Sequence, residues 1–196
     1  MPKNKFSGYV VGGVIIFLLI VYIIVAYNSL VKKEEVVKQK WSEVQNTYQR
    51  RLDLIPNLVN VVKGVSQFEQ TTLEKIAETR SNAIAGMSND ELNASNYQHQ
   101  RVLQDSLAAA TNRVILLVEK YPVLKGTAAY AGLQAQLEGT ERRIKVARND
   151  FNESVAAYNK AVRNFPSNIV SGIFGFKVKE GFEAVAGSEK AVEIKF

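Results

Sequence analysis

A single histidine and no cysteine leave this 196-residue chain little from which to build a nucleophile, a proton relay or a soft-metal site. His99 sits among Asn96, Gln98 and Gln100, a solvated context, and no second histidine exists to complete a ligand pair. Without cysteine there are no disulfides and no thiolate sites, and that absence does not fix a redox compartment. Glu69 with Glu74, and Glu138 with Glu141, are close enough in sequence to be imagined as acid–base couples. On helices such residues serve as caps and surface charges. No GxxxxGK[ST] loop, GxSxG elbow or dinucleotide fingerprint occurs. The expectation is a chain with no catalytic residue, no cofactor and no metal, and not an enzyme.

One polar set is different in kind. Arg50, Arg51, Asp53, Asn57 and Asn60 surround Pro56 within a stretch of apolar helical spacing that closes on Gly64. Residues 50, 53, 57 and 60 follow each other by three, four and three, so they share one stripe of a helix. Asp53 can pair with Arg50 one turn back. Asn57 or Asn60 could meet backbone groups freed at Pro56, which removes a donor and bends or restarts the helix. The stripe is either an ordinary solvated face or a polar seam that sets register or oligomer contacts.

The elements that position this set are helices. Val37, Trp41, Val44, Tyr48, Ile55, Leu58 and Val62 repeat by threes and fours once Arg51 fills the missing slot, a heptad seam. No Gly or Pro interrupts residues 14 to 55, which predicts one rod on the order of 70 Å long ending at the Pro56 kink. Ser66-x-x-Glu69 has capping-box spacing and predicts a second helix, ending in a loop at 86–90. A third helix from about Asp90 carries Leu103, Leu107, Ala110, Val114, Leu117 and Tyr121. Pro122 stops it, and Lys125-Gly126-Thr127 makes the turn and the next cap. The fourth helix has the most regular seam: Tyr130, Leu133, Leu137, Thr140, Ile144, Ala147, Phe151, Ser154, Tyr158, Ala161 and Phe165, then Pro166. A helix of that length needs a partner along its seam.

Residues 8–27 contain no charge, and 20 helical residues span roughly 30 Å, the hydrocarbon thickness of a bilayer. Tyr9, Tyr22 and Tyr27 are placed as interface-seeking aromatics. No Ala-x-Ala site follows, which favours an uncleaved single-pass anchor over a signal peptide. Gly8 and Gly12 form a GxxxG pair that would let two helices approach closely. Lys32, Lys33, Lys38 and Lys40 outnumber Lys3 and Lys5, a lean toward a cytoplasmic soluble domain that Glu34 and Glu35 soften.

The expected organisation is therefore a short tail at 1–7, a transmembrane helix at 8–27, an antiparallel helical bundle at 28–165 and a Gly/Phe-rich tail at 166–196, all-α throughout. Phe174, Phe176 and Phe182 lie in the tail, either docked on the bundle or offered to another subunit, a partner or the bilayer. Lys177-Val178-Lys179 alternates weakly, like a short strand. Net charge is +6, spread along long helices, with neither the basic face nor the readout residues that nucleic acid requires.

These residues together resemble the bacterial LemA family. The marks are Tyr27-Asn28-x-Leu30-Val31, Trp41, Arg50-Arg51-x-Asp53-Leu54-Ile55-Pro56-Asn57-Leu58-Val59 and Val62-Lys63-Gly64. Glu69, Leu73-Glu74 and Arg80 follow, then Tyr121-Pro122-x-Leu124-Lys125 and Leu133-Gln134-x-x-Leu137. Glu141-x-x-Ile144-x-x-Ala147-Arg148, Phe151-Asn152-x-x-Val155-x-x-Tyr158-Asn159 and Phe165-Pro166 complete the set. Phe151 stands where the family has tyrosine, and Gly126 where alanine is common. The resemblance covers about residues 20 to 185. It implies a membrane-anchored antiparallel helical bundle at the bacterial inner membrane and no catalytic residues.

The function expected is a non-enzymatic, homo-oligomeric scaffold or adaptor at the cell envelope, with the lipid bilayer and other membrane or envelope proteins as partners. Signal transduction through partner proteins and membrane shaping are the alternatives.

Overall fold

The computed structural model describes residues 5–64, 69–87 and 93–182, with only the backbone given for residues 5–8. Every element in these residues is a helix: α1 (Lys5–Lys63), α2 (Gln70–Met87), α3 (Ala94–Val118), α4 (Pro122–Lys125), α5 (Ala128–Arg163) and α6 (Ser167–Phe174). No strand occurs among the described residues, and Lys177-Val178-Lys179 is irregular. The chain divides into two compact units. One takes α1 up to Gln39 with residues 153–179, and the other takes, among the described residues, 40–152 with 180–182.

Pro56 does not restart the helix. It lies inside α1, which continues to Lys63, and Gly64 stands just past the helix end. Capping-box Ser66 and the expected third-helix start at Asp90 lie outside the described residues. Glu69 does begin the second helix: its carboxylate accepts from the Thr71 and Thr72 hydroxyls (3.0 and 3.2 Å), and these bonds hold it below the usual carboxylate pKa. Asn93 caps α3, its side chain accepting from the Asn96 backbone N–H at 2.8 Å. Thr127 caps α5 as its position predicts, accepting from the Tyr130 N–H at 3.3 Å.

The larger unit, residues 40–152 with 180–182, has its core where four helices converge. Leu52, Ile55, Leu58 and Val62 of α1 meet Ile76 and Ala83 of α2, Leu107, Val114 and Val118 of α3, and Leu133 and Leu137 of α5. Gly86 is where α2 approaches α3: a Cβ there would come within 2.3 Å of Leu103 Cδ1. Trp41, Tyr97, Phe151 and Phe182 form an aromatic layer, with ring centroids 4.4 Å apart for Trp41–Tyr97, 5.0 Å for Tyr97–Phe151 and 5.5 Å for Phe151–Phe182.

The smaller unit buries Leu30 and Val37 of α1, Val155, Tyr158 and Val162 of α5, and Val170 and Ser171 of α6. The Ser171 hydroxyl donates to the Val162 carbonyl at 2.9 Å, which ties α6 back to α5. The α5 seam holds from Tyr130 to Tyr158 and then departs from expectation. Val162 is buried, Ala161 is half-buried, and Phe165 is 80% exposed. The cause is the end of α5 at Arg163, two residues before Phe165, so Phe165 no longer follows the helical repeat.

Candidate functional site

On α1 the neighbours Arg50 and Arg51 have opposite surroundings. Arg50, Asp53, Asn57 and Asn60 all face solvent, so the stripe they share is a solvated face rather than a buried polar seam. Asp53 accepts from Gln49 Nε2 at 2.7 Å instead of pairing with Arg50. Arg51, in the apolar seam, is 2% exposed. Its guanidinium donates to the Gln104 carbonyl (2.8 Å), to Gln104 Oε1 (3.1 Å) and to Glu141 Oε1 (2.5 Å). It thereby ties α1 to α3 and α5. A buried guanidinium survives only when its charge is countered and most of its N–H groups find partners. The three bonds serve Nη1 and Nη2, while Nε stays buried without a partner.

The acceptors come from a seam on α3 different from the expected one. Tyr97, Gln100, Gln104, Leu107, Thr111, Val114 and Val118 are buried, in steps of three and four. Leu103, Ala110, Leu117 and Tyr121 are only partly buried at the seam's flank. Gln104 holds a central slot because Arg51 enters opposite it, and Thr111 satisfies its own hydroxyl by bonding the Leu107 carbonyl at 2.8 Å. Apolar residues alone do not reveal this seam. Its signal is the set of glutamines and threonine that keep heptad spacing with Tyr97, Leu107, Val114 and Val118.

Pro56 finds its compensation in Arg80. A proline has no N–H, so the carbonyl one turn earlier, at Leu52, loses its helical donor. Arg80 Nε of α2 donates to the Leu52 carbonyl at 3.0 Å. The role expected of Asn57 or Asn60 thus falls to an arginine from another helix, and α1 passes through Pro56 without restarting.

Beside Arg51 lies a cleft of about 450 Å³ lined by Arg51, Asp105, Glu141, Arg142, Ile144, Lys145, Arg148 and Asn149. Arg148 donates to Asp105 Oδ1 and to the Tyr48 hydroxyl, both at 2.8 Å, and its guanidinium lies 5.4 Å from the Tyr48 ring centre. The carboxylates imagined as couples are engaged separately, Glu138 with Gln134, Glu141 with Arg51, Glu74 with Gln70 and Glu69 with the threonines. His99 is exposed, and no group of three His, Cys, Asp or Glu able to hold a metal ion occurs among the described residues. The arrangement is one of locked ion pairs.

The chain after α6 docks by a device that sequence reasoning missed. An asparagine amide presents one donor and one acceptor side by side, as a peptide group does, and can hold both backbone groups of one residue. In the smaller unit Asn159 does so with Lys179, donating to its carbonyl at 2.7 Å and accepting from its N–H at 2.8 Å. In the larger unit Asn152 does the same with Phe182, at 3.1 and 2.8 Å. A Cβ at Gly181 would lie 2.5 Å from Asn152 Oδ1, so this clamp requires glycine. The two asparagines are one heptad apart, each following a buried ring, Phe151 or Tyr158, and that repeat is the signal that could have found them.

The tail phenylalanines accordingly have partners within the chain. Phe182 joins Trp41, Tyr97 and Phe151, while Phe174 and Phe176 meet Tyr27 edge-on at 4.9 and 5.6 Å. Phe196 lies outside the described residues. Lys179 also bonds Glu34 at 3.0 Å and stands 5.5 Å from the Tyr158 ring centre.

The apolar start of α1 is long and apolar enough to cross a membrane. Its large side chains from Tyr9 to Val25 are exposed, Tyr9 at 79% and Tyr22 at 36% among them. Gly8 lies in the same helix, and a Cβ at Gly12 or Gly13 would meet nothing within 4 Å.

The family model described as "LemA family" matches residues 40–196. The magnetosome protein MamQ of Magnetospirillum gryphiswaldense is 25% identical over 178 residues, covering 82% of this chain and 65% of that protein. Magnetosome protein MamQ 2 of Paramagnetospirillum magneticum is 23% identical over 89% of this chain and 71% of its own length. Protein LemA of Metamycoplasma hominis is 24% identical over 74% of this chain and 63% of its own length. The chain thus spans about two thirds of the length of the curated relatives it matches. With its apolar N-terminal helix, this kinship makes it a membrane-associated helical protein. The match over residues 40–196, on a chain whose every described element is a helix, places it in the LemA family.

Proposed function

We propose that the chain is a single-pass, non-enzymatic membrane protein whose helices serve as an oligomeric scaffold or adaptor at the bacterial cell envelope. The observation that carries this reading is α1 itself. One uninterrupted helix holds apolar side chains exposed from Tyr9 to Val25 and, further on, a seam buried from Leu30 to Val62. The first part suits lipid and the second suits a folded helical body, so the helix is built to hold that body at a bilayer. The ion pairs of Arg51 and Arg148 support a rigid interaction body over a reactive centre. The open surface at Gly12 and Gly13 supports close approach of a second span.

The test is the mass of the detergent-extracted full chain by native mass spectrometry and light scattering. The proposal expects the protein in the membrane fraction after a carbonate wash, and a defined oligomer after extraction. Release by carbonate would remove the anchor, and a strict monomer would remove the oligomeric scaffold.

A further inference from the structure

Between Arg163 and Lys177 lies a run of 13 residues without a charge, and α6 occupies its centre. Inside a folded body such a run would be buried, yet here only Val170 and Ser171 of α6 are. Phe165 is 80% exposed, Ile169 55% and Ile173 69%. Ile169 and Ile173 are four residues apart on one side of α6. The opposite side is fixed: the Ser171 hydroxyl bonds the Val162 carbonyl at 2.9 Å, and the Phe174 ring contacts Tyr27 at 4.9 Å. The apolar side is therefore outward-facing by construction.

Its location names the occupant. Tyr27 closes the segment 8–27 read as the span, within an uncharged run that extends from Phe6 to Val31, and both Phe174 and Phe176 pack on its ring. The C-terminal end of α6 is thus held at Tyr27, at the end of the segment read as the span, where the side chains of Ile24 and Val25 are exposed as well. Exposed Arg163 and Lys177 flank α6, as cations flank segments that lie at anionic lipid surfaces. A short amphipathic helix at this level buries its apolar face in the boundary between headgroups and acyl chains.

We infer that α6 is a second, interfacial membrane contact, with Ile169 and Ile173 inserted into the lipid beside the point where α1 leaves the bilayer. This rests on the reading of residues 8–27 as a span. Two contacts restrain what one leaves free: a lone helix can tilt and rotate about its axis, whereas α6 fixes the face that the smaller unit turns to the bilayer.

The absence of cysteine makes the test direct. Full-length Ile173→Cys, Leu18→Cys and Ala135→Cys variants are spin-labelled and reconstituted into phosphatidylcholine vesicles containing phosphatidylglycerol. Collisions with oxygen, which partitions into lipid, are compared with those of a water-soluble nickel chelate. The label at Ile173 is expected to fall between the other two, richer in oxygen collisions and poorer in nickel collisions than that at Ala135 but shallower than the mid-span label at Leu18. Lipid-like behaviour at Leu18 with nickel access at Ile173 equal to that at Ala135 overturns the inference and leaves the span intact. Spin–spin broadening at Ile173, abolished by dilution with unlabelled protein, overturns it in favour of a second copy. Nickel access at Leu18 removes the span itself, and the inference with it.

Discussion

Two sides of α1 between Tyr48 and Val62 pass through the same few turns with opposite consequences. On one side Tyr48, Arg51, Ile55, Leu58 and Val62 are buried, and Arg51 holds α3 and α5 through Gln104 and Glu141. On the other, Arg50, Asp53, Asn57 and Asn60 face solvent. Both sides carry charge, and both fall within one sequence signature. What separates them is register: a polar residue in the apolar repeat is drawn inside and must be partnered, while one on the polar stripe stays hydrated.

That contrast can be broken by mutation, with denaturant melts of the full chain in mild detergent. Trp41, the only tryptophan and buried in the aromatic layer, serves as the probe. Arg51→Ala strands the Gln104 acceptors and opens a cavity, and should cost about 3 kcal/mol. Arg51→Met, which fills much of the same space, should cost less than half of that. A loss under 1 kcal/mol for Arg51→Ala would mean that the buried side is no more demanding than the exposed one.

Next in size is Arg80→Met, which leaves the Leu52 carbonyl without a donor and should cost about 2 kcal/mol. Pro56→Ala returns the missing N–H, so in its presence Arg80→Met should cost about half as much. Additive losses would show that Arg80 and Pro56 are not coupled.

Tyr97 sharpens the comparison from the buried side. Its hydroxyl is buried without a hydrogen-bond partner, and burial pushes its pKa up to about 12 from 10.0. The unfolded tyrosine ionises first as pH rises. Its contribution to stability is thus complete below pH 10 and is lost progressively as pH climbs from about 10 to about 12. Tyr97→Phe should change stability at neutral pH by no more than about 0.5 kcal/mol and flatten part of that alkaline decline. An unchanged alkaline profile would assign the decline to other tyrosines, such as Tyr48, whose pKa burial also raises.

The smallest effect belongs to the exposed stripe. Asp53→Ala removes one surface bond to Gln49 and should cost about 0.5 kcal/mol or less. A cost near that of Arg51→Ala would place the stripe in a contact outside this chain, as an oligomer interface would.

Much of this architecture is legible in a linear reading. Periodicity finds the α5 seam from Tyr130 to Tyr158, because an apolar repeat sustained over many turns marks a helix with one buried face. Arg51 completes the α1 repeat, so its burial was legible in the spacing of its neighbours. The α3 seam was misplaced because Gln100, Gln104 and Thr111 are polar, and only their partners show why polar residues belong there. Arg80 and the asparagine clamps were out of reach for a similar reason. Each joins residues far apart in sequence, Arg80 to Leu52 by 28 positions and Asn152 to Phe182 by 30.

The sequence by itself determined the four long helices, the uncharged apolar run and the family, because these are written in local spacing and composition, whereas the short α4 and α6 were not foreseen. The tertiary structure alone decided that Pro56 does not end α1, that Arg51 rather than Asp53 is the locked residue, and that α6 turns Ile169 and Ile173 outward. Those outcomes depend on which donor meets which acceptor across helices, and a hydrogen bond over about 3 Å has no signature in a linear repeat.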